Sequence, residues 1–238
     1  MLLEENRRVK VIFDLADEIK QNIVDDPADW AALGGAVAMK VNNRGIPAVT
    51  NMPDRLNTSA AKALTACASP GMNDPILHLI GITPGSDTPE QAFGGPVPAN
   101  VDRIRITLDD VRAVYEHLRT AKTDKVDIVH MGCPHLTYEE IRMIARAIKG
   151  KKVHPDVMMW AQTDTPSYNM AKHYGEAKII EDAGGKIYLQ TCAGMNMLSV
   201  DWGSDFTVAT SSFKQIKIFG GLGHGMIFAS LPELITPR

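Results

Sequence analysis

Hydrophobic positions fall into two kinds of pattern along this chain. Near the N-terminus Val9, Ile12, Phe13, Ala16, Ile19 and Ile23 recur at i, i+3 and i+4, which predicts one face of a helix. Residues 26–41 predict a second helix, with Pro27 in its first turn and Asn42-Asn43 at its end. A short strand is expected over 46–49, a small-residue helix over 57–68 and a buried strand over 75–82. A stretch rich in Pro and Gly, GITPGSDTPEQAFGGPVPAN, follows and reads as a long turn-rich connection.

Beyond it, short apolar runs alternate with helical periodicity. A helix over 107–118 is capped by Thr107, with Asp109 and Asp110 in its first turn. Strands are expected over 127–131, 157–161, 187–189 and 206–209. Between them lie a helix over 137–148, a helix over 167–183 ended by Gly184-Gly185, and a short helix from Ser212 after the last strand. Ile141, Ile144, Ala145 and Ile148 share one helical face, and Thr137 with Glu140 forms a capping box. Such alternation means a parallel sheet covered by helices. The expected fold class is α/β. Residues 101–238 form a parallel-sheet, three-layer αβα domain carrying the candidate site, and residues 1–100 form a smaller mixed, helix-rich α/β portion.

Composition narrows the function classes. The 238 residues carry 25 Lys plus Arg against 28 Asp plus Glu, a net charge of −3, with no basic run. That argues against a nucleic-acid or anionic-membrane surface. No segment approaches the roughly 20 consecutive apolar residues of a membrane helix. The N-terminus lacks the basic and apolar regions of a signal peptide, so a cytoplasmic location is expected. Three cysteines make a disulfide framework improbable on parity alone.

Candidate chemistry gathers at the strand ends. In an open parallel sheet, ligands bind outside the carboxyl ends of the strands. Here those ends read Gly132-Cys133-Pro134-His135, Gln162-Thr163-Asp164-Thr165, Gln190-Thr191-Cys192 and Thr210-Ser211-Ser212. Cys133 and Cys192 occupy two of these ends; Cys133 is expected just before a helix N-terminus, which favours the thiolate that a metal or an iron–sulfur cluster needs, while a strand-end Cys such as Cys192 also suits the core. His135 stands close to Cys133 as a second ligand or an acid. Ser212 and Lys214 open another helix, where unpaired N–H groups attract a carboxylate or phosphate. Thr163 and Ser211 are the candidate substrate contacts. Plain structural roles compete with these: Cys67 as a small core residue in an Ala-rich helix, His78 as a satisfied core histidine, His224 in a glycine turn, Asp164 as a helix cap.

These residues resemble a known family, aconitase X, in the second half of its large catalytic subunit. The most specific block is DIVHMGCPHLTYEEIRMI, similar to the family's strand, Gly-Cys-Pro-His turn and helix. EDAGGKIYLQTC resembles the family's stretch ending in Asp-Thr-Cys, ATSSFK its Thr-Asn-Ser-x-Lys pattern, and the region of GITP and EQAFGG a fourth block. The chain departs at Gln190, at Ser211 and at Thr-Pro-Gly-Ser (83–86), where the family often has Thr-Pro-Glu-Ala. The resemblance implies a hydro-lyase that dehydrates a small hydroxy acid, cis-3-hydroxyproline-like or phosphomevalonate-like. It also implies an iron–sulfur cluster or mononuclear iron held by Cys133 and Cys192, with His135, Ser212 and Lys214 in substrate contact or proton transfer. The implied partners are a small swivelling subunit and the remainder of the large subunit, without which activity is not expected. Two other readings remain: a non-catalytic scaffold or regulatory subunit, and a thiol enzyme with Cys133 as nucleophile beside His135.

Overall fold

The computed structural model describes residues 4–23, 26–54, 56–192, 194 and 206–235. The chain divides into two compact units, Met1–Asp25 with Asp29–Val114 and Asp26–Ala28 with Tyr115–Arg238. Each is built on an all-parallel sheet flanked by helices, as the α/β reading expects. Among the described residues no helix is long and apolar enough to cross a membrane.

The first unit has four strands in the order β3-β2-β1-β4: β1 (Val11–Leu15), β2 (Pro47–Thr50), β3 (His78–Leu79) and β4 (Asp102–Ile106). Its helices are α1 (Asp17–Asn22), α2 (Pro27–Val41, whose first residues belong to the other unit), α3 (Thr58–Ala68), α4 (Pro89–Phe93) and the start of α5 (Leu108–His117). The helix expected over 9–23 is instead β1 followed by α1. A central parallel strand is buried on both faces and so reads as a continuous apolar run; Val11, Ile12, Phe13 and Leu15 are all buried, and the helical spacing they also satisfy is incidental. The Pro- and Gly-rich stretch is likewise a crossover from β3 to β4 that contains α4. The strand after it therefore pairs with β1, and the unit extends to Val114, past residue 100. Helices α2 and α3 touch backbone to backbone: a Cβ on Gly34 would lie 2.1 Å from the Leu64 carbonyl oxygen.

The second unit orders five strands β7-β6-β5-β8-β9: β5 (Ile128–Leu136), β6 (Met158–Thr163), β7 (Lys186–Leu189), β8 (Thr207–Thr210) and β9 (Gly225–Phe228). Helix α6 (Tyr138–Ile148) links β5 to β6. The single helix expected over 167–183 is two, α7 (Thr165–Tyr174) and α8 (Glu176–Asp182), broken at Gly175, whose φ of 90° lies in the left-handed region. Strand β9, after the glycine turn of His224, adds a fifth to the four strands expected.

Alternation gives this sheet two unlike faces. Val129, Met131, Met159, Ala161 and Ala209 pack against α6, α8 and the closing helix Leu231–Ile235. On the opposite face lie His130, Trp160, Gln162 and Thr210, all buried, and Met226 beneath helix Phe213–Gly221. Helices thus cover both faces, the three-layer arrangement expected. The chain leaves β5 on one side for β6 and returns to β8 on the other. The carboxyl ends of β5 and β8 flank that topological switch point, where open α/β sheets bind ligands.

Candidate functional site

Strand β5 leaves its ladder where the Gly-Cys-Pro-His sequence begins. It pairs with β6 in register up to Met131–Ala161 and pairs again only at Leu136–Thr163. Residues 132–135 on β5 therefore face Gln162 alone on β6, and this part of the strand bulges outward. Gly132 makes that possible. Its φ is 112°, and a Cβ there would stand 2.3 Å from the Gln162 carbonyl oxygen and 2.8 Å from its nitrogen. Cys133 follows, half-buried and joined to Pro134 by a cis peptide bond.

The thiol is not at a helix N-terminus. Strand β5 runs on to Leu136, and Thr137 is the N-cap of α6; the Thr137 hydroxyl accepts from the Glu140 N–H and the Glu140 carboxylate from the Thr137 N–H at 2.7 Å. The expected capping box is present, and it takes up two of the donors at that helix end, the Thr137 and Glu140 N–H groups.

His135 reaches across the end of β6. Its Nε2 lies 2.7 Å from the Thr191 carbonyl oxygen, beside exposed Cys192. One side chain thus links the ends of β5 and β7, the two ends that carry the cysteines. The turn after β7 is held as well: the Gln190 N–H donates to the Thr163 carbonyl at 3.1 Å, with Gln190 itself at a φ of 54°.

The other candidates divide. Thr163 is fully buried, and its hydroxyl donates to the Leu136 carbonyl at 2.6 Å, so it ties β6 to the end of the bulge. Ser212 is buried as the N-cap of Phe213–Gly221, its Oγ accepting from the Gln215 N–H at 3.2 Å. Ser211 is half-buried at the end of β8, and Lys214 is exposed on the first turn of that helix. Asp164 caps α7, accepting from the Ser167 N–H at 2.7 Å. Cys67 is buried in α3, and His78 Nε2 is satisfied by the Arg7 carbonyl at 2.8 Å. His224 sits in the turn before β9, its ring stacked on Phe206 at 4.0 Å.

Sequence reasoning passed over His130. It is 1% exposed, and its Nε2 lies 3.1 Å from Gln162 Oε1. Because the partner is an amide oxygen, Nε2 carries the proton; Nδ1 is buried without a partner. Burial lowers its pKa to about 4, against the smaller upward pull of the Gln162 bond, so the ring is neutral at physiological pH. An unmatched buried nitrogen costs about 1–3 kcal/mol relative to an aliphatic side chain. The signal was a polar residue inside an otherwise apolar run, Ile128-Val129-His130-Met131.

Among the described residues no three His, Cys, Asp or Glu side chains converge as a metal site. Protein-bound iron–sulfur clusters commonly take about four thiolates. This edge carries two thiols, fewer than such a set.

Two family models cover nearly the whole chain: the aconitase X second domain matches residues 9–116 and the aconitase X third domain residues 126–237. The chain belongs to the aconitase X family. Over 237 residues it is 27% identical to the phosphomevalonate dehydratase large subunit of Methanocaldococcus jannaschii, a match covering 99% of this chain and 56% of that protein. It is 30% identical to the corresponding subunit of Methanothermobacter thermautotrophicus over 80% of this chain and 43% of the relative. To the cis-3-hydroxy-L-proline dehydratase of Pseudomonas aeruginosa it is 26% identical, over 80% of this chain and 32% of the relative. This aconitase X chain thus spans from about a third to just over half of those proteins' lengths. The crystal structure of Thermococcus kodakaraensis aconitase X in its holo-form shares the fold, with a TM-score of 0.78 and 24% identity over 98% of this chain and 56% of that one.

Proposed function

We propose that this chain supplies the second and third domains of an aconitase X hydro-lyase that dehydrates a small hydroxy acid, of the phosphomevalonate or cis-3-hydroxyproline kind. The observation that carries the reading is the 2.7 Å bond from His135 to the Thr191 carbonyl, which draws the cysteine-bearing ends of β5 and β7 to one edge beside the switch point. In this reading Cys133 and Cys192 are thiolate ligands to an iron–sulfur cluster or mononuclear iron, completed by residues outside this chain. The centre supplies a Lewis acid for a leaving hydroxyl. Lys214, exposed at its helix start, gives a cation for the substrate's anionic group, and Ser211 a hydroxyl beside it. His135 serves proton transfer or substrate contact from the bulge, and Ser212 holds the helix start by its cap. Working partners are the remainder of the large subunit and a small subunit, in keeping with relatives named as large subunits. The assembly is cytoplasmic.

The test is an anaerobic absorption spectrum with iron analysis of the assembled enzyme, with and without Cys133→Ser. Iron in the parent and its loss in the variant are expected; equal iron and equal turnover in both overturn the assignment. A second reading, a scaffold that keeps the fold without the reaction, is favoured by one observation: Gly85 stands where the family often has a Glu, in a turn where an added Cβ would meet nothing within 4 Å. Turnover of the assembled complex, present or absent, separates the two.

A further inference from the structure

We propose that His130, Gln162 and Thr163 are positioning residues that clamp the Gly132–His135 bulge and so fix where the Cys133 thiol stands. The inference rests on Cys133 being the working group, but its geometry does not depend on iron. Four residues of β5 oppose one of β6, so the bulge has few ladder bonds of its own, and its ends must be held by other means. At the leading end the His130 ring grips the Gln162 side chain at 3.1 Å, while the Gln162 backbone runs against Gly132 where a Cβ would be. At the trailing end the Thr163 hydroxyl holds the Leu136 carbonyl at 2.6 Å. The tip is tied sideways by His135 to Thr191.

The three residues are buried polar groups in a sheet whose other buried positions are largely apolar. An aliphatic residue at 130 would pack without leaving a ring nitrogen unmatched. A polar residue retained there at a cost fixes one arrangement among several, which is what buried hydrogen-bonded groups do well. Here the arrangement fixed is the departure point of the bulge.

The test measures the thiol in the full chain, without metal. Iodoacetamide alkylation of Cys133 is read against exposed Cys192 by mass spectrometry, and amide exchange of α6 monitors the fold. Thr163→Val keeps the shape and removes the hydroxyl; His130→Leu removes the grip on Gln162. Each is expected to raise the Cys133:Cys192 rate ratio about tenfold, because a half-buried thiol gains solvent, with α6 still protected. Thr163→Ser and His130→Gln, which keep a donor, are expected to return it to within about twofold of the parent. A ratio unmoved by Thr163→Val and His130→Leu with α6 protected overturns the proposal. So does opening of α6 in step with Cys133 in both variants, which makes the residues general supports of the fold. A chain that passes this test yet assembles without iron keeps the clamp and loses the ligand reading. One that binds iron through Cys133 but fails it does the reverse.

Discussion

At the first sheet, polar groups near the carboxyl edge are spent on one another. Thr50 donates to Asp14 at 2.5 Å, and one nitrogen of Arg103 meets both Asp14 oxygens at 2.9 Å. The Asn51 amide donates to the Leu15 carbonyl at 2.7 Å and to Asp17 at 2.8 Å. Across the same edge of the second sheet a side chain bridges strand ends: His135 meets the Thr191 carbonyl, with Cys133 two positions before the one and Cys192 next after the other. Both sheets are parallel and reverse their strand order beside a central strand, so topology offers each a crevice. What differs is the side-chain chemistry, and chemistry, not architecture, marks the site.

The sharpest way to break this contrast is to exchange one residue on each edge. Cys133→Ser in the assembled enzyme is expected to lower iron affinity by about a hundredfold or more, since even groups behind a ligand are worth about 10- to 100-fold. Asn51→Ala removes two hydrogen bonds at a left-handed residue with a φ of 59°. It should cost stability in the first unit and leave iron content within about twofold of the parent. Iron analysis of both proteins decides; equal loss from the two would mean the edges do not differ in kind.

Backbone clearance gives the next largest effect. Gly132→Ala meets both a positive φ and the Gln162 backbone at under 3 Å. Overpacking and the left-handed conformation together should cost about 3 kcal/mol, read as a fall in denaturation midpoint. Gly34→Ala in the first unit, 2.1 Å from the Leu64 carbonyl, carries the steric part alone. It should cost less than Gly132→Ala and leave Cys133 alkylation unchanged.

Acid separates the units by sign and window. His130 is neutral when folded because burial holds its pKa near about 4, below the ordinary 6.5. Above pH 6.5 neither state binds the proton; between there and pH 4 only the unfolded chain does, so stability falls as pH falls. The full gap corresponds to about 3 kcal/mol, and His130→Gln should flatten the curve across that window. In the first unit, burial raises the Asp110 pKa but the Lys40 bond at 2.6 Å and two Thr107 bonds lower it more, leaving it below 3.8. That carboxylate stabilises above 3.8 and is lost only as pH falls further. Amide exchange resolved by unit should therefore show the second unit loosening first.

How much of this was open to reading from the sequence follows from the range of the interactions. The α6 capping box and the α7 cap of Asp164 are local, spanning three residues; the first was legible in full, the second as one role among others, with the helix expected two residues late. Strand β1 was not, because a strand buried on both sides prints no alternation, and Val9 to Ile23 also fit a helix. The cysteine-bearing strand ends were legible through topology, but the role of Thr163 was not: its hydroxyl is bound to a carbonyl 27 positions away. His130 escaped for the same reason, since its partner lies 32 positions on.

The smallest predicted effect tests whether that local legibility carries equal energy in the two units. Asn57 caps α3 by accepting from the Ala60 N–H at 2.9 Å, a single bond at a part-buried helix end. Asn57→Ala should cost about 1 kcal/mol in the first unit. Thr137→Ala breaks one half of a reciprocal pair whose other half, Glu140, is 5% exposed. The Glu140 carboxylate keeps the backbone N–H of residue 137, but the Glu140 N–H loses its acceptor at a more buried helix end than that of α3, so this variant should sit near the upper end of the range, about 2 kcal/mol. Thr137 also directly follows Leu136, the carbonyl that Thr163 holds. Its loss should therefore loosen the trailing end of the bulge and raise Cys133 alkylation, whereas Asn57→Ala leaves that rate alone. Equal thiol rates in the two variants would show the cap and the bulge to be independent, and the second edge to be held by its long-range bonds alone.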